Sequence, residues 1–232
     1  MSKIIAIIPA RGGSQRVPSK NKRLCAGKPL IEWSLQAALD ADCFDGIYVS
    51  SDDAEILSIA GRLEGVTPAP RPAELAAADT KMMPVLTHFI EEKALSDEDI
   101  IVLLQPTSPL RTGQDIKQAL QKFQSEQVET LVSVVVCPGN FHPQKLLKMD
   151  EDGCVSPFFE DAPPQGEVRS MAAAYGRNGP AILINTAKTL RSGVLYGAKV
   201  GSFIMPPERS IDIDEESEFE LADLIISARV RP

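Results

Sequence analysis

Ile4-Ile5-Ala6-Ile7-Ile8 is an unbroken apolar run that stops at Pro9-Ala10-Arg11-Gly12-Gly13, and this junction limits the possible folds more than any other feature of the chain. A strand that is apolar at every position has to be covered on both faces, which places it inside a parallel sheet flanked by helices. The rest of the first half repeats the theme. Leu30, Ile31, Leu35, Ala38 and Leu39 follow a helical period; Ile47-Tyr48-Val49-Ser50 is a second strand, closed by Ser51-Asp52-Asp53 as the N-cap cluster of a helix through Leu63. Val66 to Pro72 reads as a Pro-rich connection, followed by a helix around Met83 to Ala94, a buried strand Ile100 to Leu104, a helix from Thr112 to Phe123 and a strand Thr130 to Val136. Strands alternating with helices predict an α/β fold with a mainly parallel sheet and right-handed crossovers.

The texture changes after Cys137. Residues 138–180 hold Pro138, Pro143, Pro157, Pro163, Pro164 and Pro180 and five glycines, with weak periodicity, so this segment is expected to project and to contact a partner. Its apolar groups Phe141, Leu146, Leu147, Phe158 and Phe159 cannot be buried against so few neighbours of their own. Strands at Ala181 to Ile184 and Val200 to Ile204 and an amphipathic helix Glu215 to Ala228 close the chain, with Phe219, Ala222 and Ile225/Ile226 on one face. No internal repeat is visible. The expected organisation is a single domain over residues 1–232, with 138–172 as a projecting dimerisation subdomain.

Composition removes several function classes. The net charge of −8 and pI near 4.9 argue against a nucleic-acid partner. No run spans a bilayer, and the N-terminal apolar run is followed by arginine rather than a cleavage site, so a cytoplasmic protein is expected. Cys25, Cys43, Cys137 and Cys154 have neither C-x-x-C nor zinc spacing and read as reduced and structural.

Against that acidic background the first 31 residues carry Lys3, Arg11, Arg16, Lys20, Lys22, Arg23 and Lys28 and no acid. A loop leaving the carboxyl end of a first strand lies where α/β sheets bind ligands, and Gly12-Gly13 would let backbone N–H groups approach an oxyanion. Lys20 and Asn21 add a cation and an amide donor within reach of a polyphosphate. Neither G-x-x-x-x-G-K-[ST] nor G-x-G-x-x-G occurs, which removes the main support for ATPase and dinucleotide readings. A second constellation is Asp212-Ile213-Asp214. Extended alternation puts both carboxylates on one face, suited to a hard divalent cation; a helix N-terminal acidic run explains the same spacing equally well, and the basic loop favours the cation. The third is Gln105-Pro106-Thr107-Ser108-Pro109-Leu110-Arg111, which sets four polar groups at the sheet's carboxyl edge, or else forms a rigid turn whose hydroxyls bond their own backbone.

Ile-Pro-Ala-Arg-Gly-Gly-Ser with Pro18-x-Lys20-Asn21, Arg71-Pro72-x-Glu74-Leu75-Ala76, Leu104 to Arg111, Asn178-Gly179 and Ser210 to Asp214, in that order, resemble the CMP-sialic acid synthetases (N-acylneuraminate cytidylyltransferases) over residues 4 to about 226. The resemblance implies a Rossmann-like nucleotidyltransferase fold, CTP and Mg²⁺ as requirements, pyrophosphate release, and a homodimer in which residues 138–172 cross to the partner. It assigns Ala10, Arg11, Gly12, Gly13, Ser14, Arg16, Lys20 and Asn21 to the CTP phosphates and ribose, and Arg71 to the cytidine side. Gln105, Thr107, Ser108, Lys145, Arg169 and Arg177 go to the sugar, and Asp212 and Asp214 to the metal. Arg11, Lys20, Asp212 and Asp214 are the implied catalytic set. The segment before Asn178-Gly179 departs from the family pattern. The expected acceptor is N-acetylneuraminate or a close relative, with pseudaminic, legionaminic, deaminated nonulosonic or 3-deoxy-octulosonic acid as alternatives, or a nucleotide-binding module with a degenerate sugar site.

Overall fold

The computed structural model describes residues 2–14, 16–77, 79–160 and 172–230. In chain order the elements are β1 (Ile4–Pro9), β2 (Leu24–Cys25), β3 (Lys28–Pro29), α1 (Leu30–Ala41), β4 (Gly46–Ser51), α2 (Ala54–Gly61), β5 (Val66–Pro70), α3 (Met82–Glu92), β6 (Ile100–Leu103), α4 (Gly113–Glu126) and β7 (Thr130–Val136). They continue as β8 (Leu147–Met149), β9 (Val155–Pro157), β10 (Tyr175–Arg177), β11 (Leu183–Thr186), α5 (Ala187–Arg191), β12 (Val200–Met205) and α6 (Glu216–Val230).

The central sheet runs β5-β4-β1-β6-β11-β7, and β10 and β12 also pair with β7. Neighbours β1, β4, β5 and β6 are parallel, as the alternation predicts. The apolar run of β1 is covered on both sides. Ala6 and Ile8 face Ile31 and Leu35 of α1, Ile56 of α2 and Ile116 and Leu120 of α4; Ile5 and Ile7 face Leu86, Phe89 and Ile90 of α3 and Leu190 of α5. A third cluster packs Val17, Cys25 and Leu30 against Leu110, Ile213 and Phe219, so the basic loop and the acidic segment share one apolar support.

Two elements depart from the sequence reading. Val66–Pro70 is a strand, not a connection; it lies at the end of the strand order, and an edge position tolerates the missing proline donors. β11 runs antiparallel to both β6 and β7. The chain leaves β7 at Val136 and returns beside it, with Cys137 N–H donating to Ala174 O at 2.8 Å and Tyr175 paired with Val136, and it keeps that reversed direction into β11. Between these points Gly139–Phe141 and Pro143–Lys145 form short 3₁₀ turns and β8 pairs with β9; Phe141, Leu146, Leu147, Phe158 and Phe159 are all exposed. Among the described residues no helix is long and apolar enough to cross a membrane.

Candidate active site

β1 is followed in the strand order by β4 on one side and β6 on the other, so the carboxyl ends of these strands open a crevice where the winding reverses. A cleft of about 380 Å³ sits there, lined by Arg11, Ser14, Arg16, Lys20 and Asn21 from the basic loop, Arg71 after β5, Gln105 and Thr107 after β6, and Asp214. Residues more than 190 positions apart in sequence meet: Lys20 Nζ donates to Ile213 O.

Each wall has a local cause. Ile213 is fully buried among Val17, Leu30 and Leu110, and its N–H donates to Thr107 O at 2.8 Å, so Asp212 and Asp214 are turned to the other side as alternation requires. Asp214 pairs with Arg16 at 3.5 Å across the mouth; both side chains are largely in water, so the pair adds little stability. Asp212 is half-buried against Gly179, whose φ of +112° would strain any side chain and where an added Cβ would press on the carboxylate at 3.2 Å. Burial pushes the Asp212 carboxyl up, helped by the charge of Asp214, while Thr107 and Lys20 pull it down. Burial likewise lowers Lys20, against the raising effect of Asp214 and Asp212.

The acid pair fits a hard divalent cation. Asp212 Oδ1 is buried with no hydrogen-bond partner among the described residues, an oxygen left open beside a second carboxylate. No group of three or more His, Cys, Asp or Glu able to hold a metal occurs among the described residues, so such an ion would take its other ligands from substrate phosphates and water.

Several expected roles change. Of the N-terminal cations, only Arg11, Arg16 and Lys20 line the cleft. Lys22 is taken by Asp53 (3.0 Å) and Glu55 (2.8 Å), Arg23 by Glu216 and the ring of Phe219, and Lys28 stands over Trp33. Ala10 is buried, its N–H on Ser50 O. Gly12 N–H donates to Asp52 Oδ1 at 3.0 Å, and the glycine is needed because a Cβ there would lie 2.7–2.9 Å from Asp53. Gly13 faces open space. Asn21 is buried and its amide holds Arg11 O at 3.0 Å, so it shapes the loop.

Beyond β6, Gln105 and Thr107 face the cleft, but Ser108 is fully buried with its hydroxyl unpartnered among the described residues, and Arg111 is also internal. Arg111 Nη1 donates to Ala181 O (2.6 Å) and Gln105 O (3.2 Å), clamping the loop from below; burial pulls its guanidinium down to about 9. The proline-flanked turn demands this clamp, since Pro106 and Pro109 supply no N–H donors. Asn178 is structural: its Oδ1 accepts from Ser133 Oγ and its Nδ2 donates to Ser210 Oγ, tying β7 to the segment before Asp212. Lys145 and Arg177 are exposed and outside the cleft, Arg177 lying 5.6 Å over the Tyr196 ring, and Arg169 falls outside the described residues. Leu75, part of the Arg71 to Ala76 motif, completes the wall together with Ala77, Thr80, Met82 and Val85, which had no signal in the sequence beyond a helix start.

The comparisons follow the same lines. The family described as Cytidylyltransferase matches residues 5–180. The N-acylneuraminate cytidylyltransferase of Escherichia coli O18:K1:H7 is 32% identical over 95% of this chain and 51% of that protein; the chain thus spans about half the length of such relatives. The CMP-N,N'-diacetyllegionaminic acid synthase of Legionella pneumophila is 29% identical over 97% of this chain and 96% of its own length. The solved structure of CMP:2-keto-3-deoxy-manno-octonic acid synthetase complexed with CTP superposes with a TM-score of 0.73 at 16% identity, covering 99% of this chain and all of the other, which shows a common fold.

Proposed function

Because the chain belongs to the cytidylyltransferase family, we propose that it couples CTP to a nonulosonic acid, N-acetylneuraminate or a close relative, giving the CMP-sugar and pyrophosphate. The observation that carries this reading is one cleft, at the carboxyl ends of β1 and β6, in which Arg11, Arg16 and Lys20 meet Asp214, with the half-buried Asp212 close enough to act on the charge of Lys20.

The sugar's anomeric hydroxyl attacks the α-phosphorus in line, the O–P bond forms, and the bond to the β-phosphate breaks. Such a transfer is mostly positioning and charge neutralisation. Arg11, Arg16 and Lys20 hold the triphosphate and compensate the leaving pyrophosphate. Lys20 donates to Ile213 O, so its cation is held beside the segment that carries the acids. Arg71 takes the cytidine side, and Gln105 and Thr107 orient the acceptor. Asp212 and Asp214 are the residues that would hold Mg²⁺, which when bound neutralises charge at the α-phosphate.

A second reading of the acceptor rests on length: the chain covers 96% of the legionaminic and pseudaminic relatives. Legionaminic or pseudaminic acid is that alternative. The exposed apolar groups of residues 141–159 support a homodimer, in which Lys145 or Arg169 would complete the partner's sugar site. The absence of a membrane-crossing helix among the described residues is compatible with the cytoplasmic location we propose. Pyrophosphate release from CTP with Mg²⁺ and a panel of these sugar acids tests the whole reading. Release with one or two nonulosonic acids is expected; CTP binding without release from any sugar would leave only a nucleotide-binding module.

A further inference from the structure

Asp52 follows β4 and is adjacent to Asp53, whose carboxylate is committed elsewhere: it caps α2 through Glu55 and Ile56 N–H and pairs with Lys22. Asp52 instead joins three strand exits. Its Oδ1 accepts Gly12 N–H from the loop after β1 at 3.0 Å and stands 3.8 Å from Arg71 Nη2, and Arg71 N–H donates to Ser51 O at 2.8 Å. The Arg71 side chain is 5% exposed, and its Nε and Nη2 have no hydrogen-bond partner among the described residues although the residue lines the cleft. Burial disfavours its charge, Arg11 adds to that, and Asp52 opposes both.

A buried guanidinium with idle N–H groups is costly unless a ligand takes them. At 3.8 Å the Asp52 carboxylate offsets the charge without consuming those donors, as a close bidentate pair would. We infer that Asp52 is a positioning residue that holds the Arg71 guanidinium in place at the cleft wall for the nucleotide, with the Gly12 amide serving to aim the carboxylate; this rests on the nucleotide site proposed above. The glycine at position 12 then has two duties, clearance for Asp53 and a donor for Asp52, and neither involves phosphate.

The test is calorimetric titration of CTP and UTP into the full chain and its Asp52→Asn, Arg71→Ala and doubly substituted forms. Asp52→Asn keeps an oxygen for Gly12; with the Arg71 charge less compensated it is expected to lower Tm, to weaken CTP about tenfold in titrations held well below that Tm, the scale of one hydrogen bond to a charged group, and to narrow the CTP/UTP ratio. In the Arg71→Ala background the same change should add nothing. An additive loss in the double variant, or wild-type affinity in Asp52→Asn, overturns the inference. A readout without nucleotide separates it from the proposed function: phenylglyoxal modification of Arg71 well below the Tm of both forms, followed by mass spectrometry, should quicken severalfold in Asp52→Asn, because loss of the carboxylate favours the reactive neutral guanidine. An unchanged rate sinks the positioning role, whereas a wild-type chain that binds neither CTP nor UTP sinks the function alone.

Discussion

At the scale of residues, the site is set by which polar atoms are left without partners. Asp212 holds a buried open oxygen and a carboxyl pushed up by burial, so its ionised form costs the native state free energy. The sign follows: for an acid whose folded pKa is raised, the penalty is complete above that value and is relieved as pH falls through it. Asp212→Asn is therefore expected to abolish Mg²⁺-dependent pyrophosphate release while leaving Tm at pH 7 unchanged or higher, by scanning calorimetry. Retained turnover would return the pair to a helix-terminal acidic run. Gly12→Ala should act through Asp53, since the new Cβ lies within 3 Å of a side chain pinned by the α2 cap and Lys22. A loss of stability and a raised KM for CTP are expected, in contrast with Gly13→Ala, which meets nothing within 4 Å.

Among elements, α4 depends on a single carboxylate. Thr112 and Asp115 form a reciprocal capping box, and Asp115 also receives Arg209 Nε at 2.9 Å and Nη2 at 2.8 Å, joining the helix start to the turn before Ser210. Burial raises Asp115, but Arg209 and Thr112 outweigh it and its carboxyl lies below the usual range. Here the stabilisation is fully present above the unfolded value and is lost as pH falls through the lowered folded one. Asp115→Asn should cost about 2–4 kcal/mol in urea unfolding at pH 7, as expected for breaking a buried charged pair and a cap, and should flatten the acid limb of stability against pH below about 4. A variant as acid-sensitive as the wild type would show that Asp53, held low by Lys22 and then by backbone N–H groups, and Asp99, held low by backbone N–H groups, carry that limb.

For the whole molecule, the prediction concerns the projecting segment. Its ends are adjacent, with Cys137 N–H bonded to Ala174 O, so removing residues 141–162 should leave the sheet intact. Light scattering of the intact chain is expected to report a dimer at micromolar concentration, and the deletion a monomer that binds CTP without turning over. A monomeric intact protein would also end any role in trans for Lys145 and Arg169.

Much of this was legible from the chain alone. Short unbroken apolar or β-branched runs and period-3.6 patterns set β1, α1, β4, α4, β7 and α6 to within a few residues, because burial of apolar surface acts on local spacing. In the alternating Asp212-Ile213-Asp214 segment, Ile213 went inside for the same reason. What tertiary structure decided was the fate of polar groups, which depends on neighbours distant in sequence. Seven cations looked like one anion site until Glu55, Asp53, Glu216 and Trp33 were brought against three of them. Arg111 and Ser108, polar in a loop, were drawn inside beneath Gln105, and β5 was accepted as a strand only because it lies at an edge. Hydrophobic burial is written in local periodicity, whereas the pairing of a charge is chosen among partners that only the folded chain assembles.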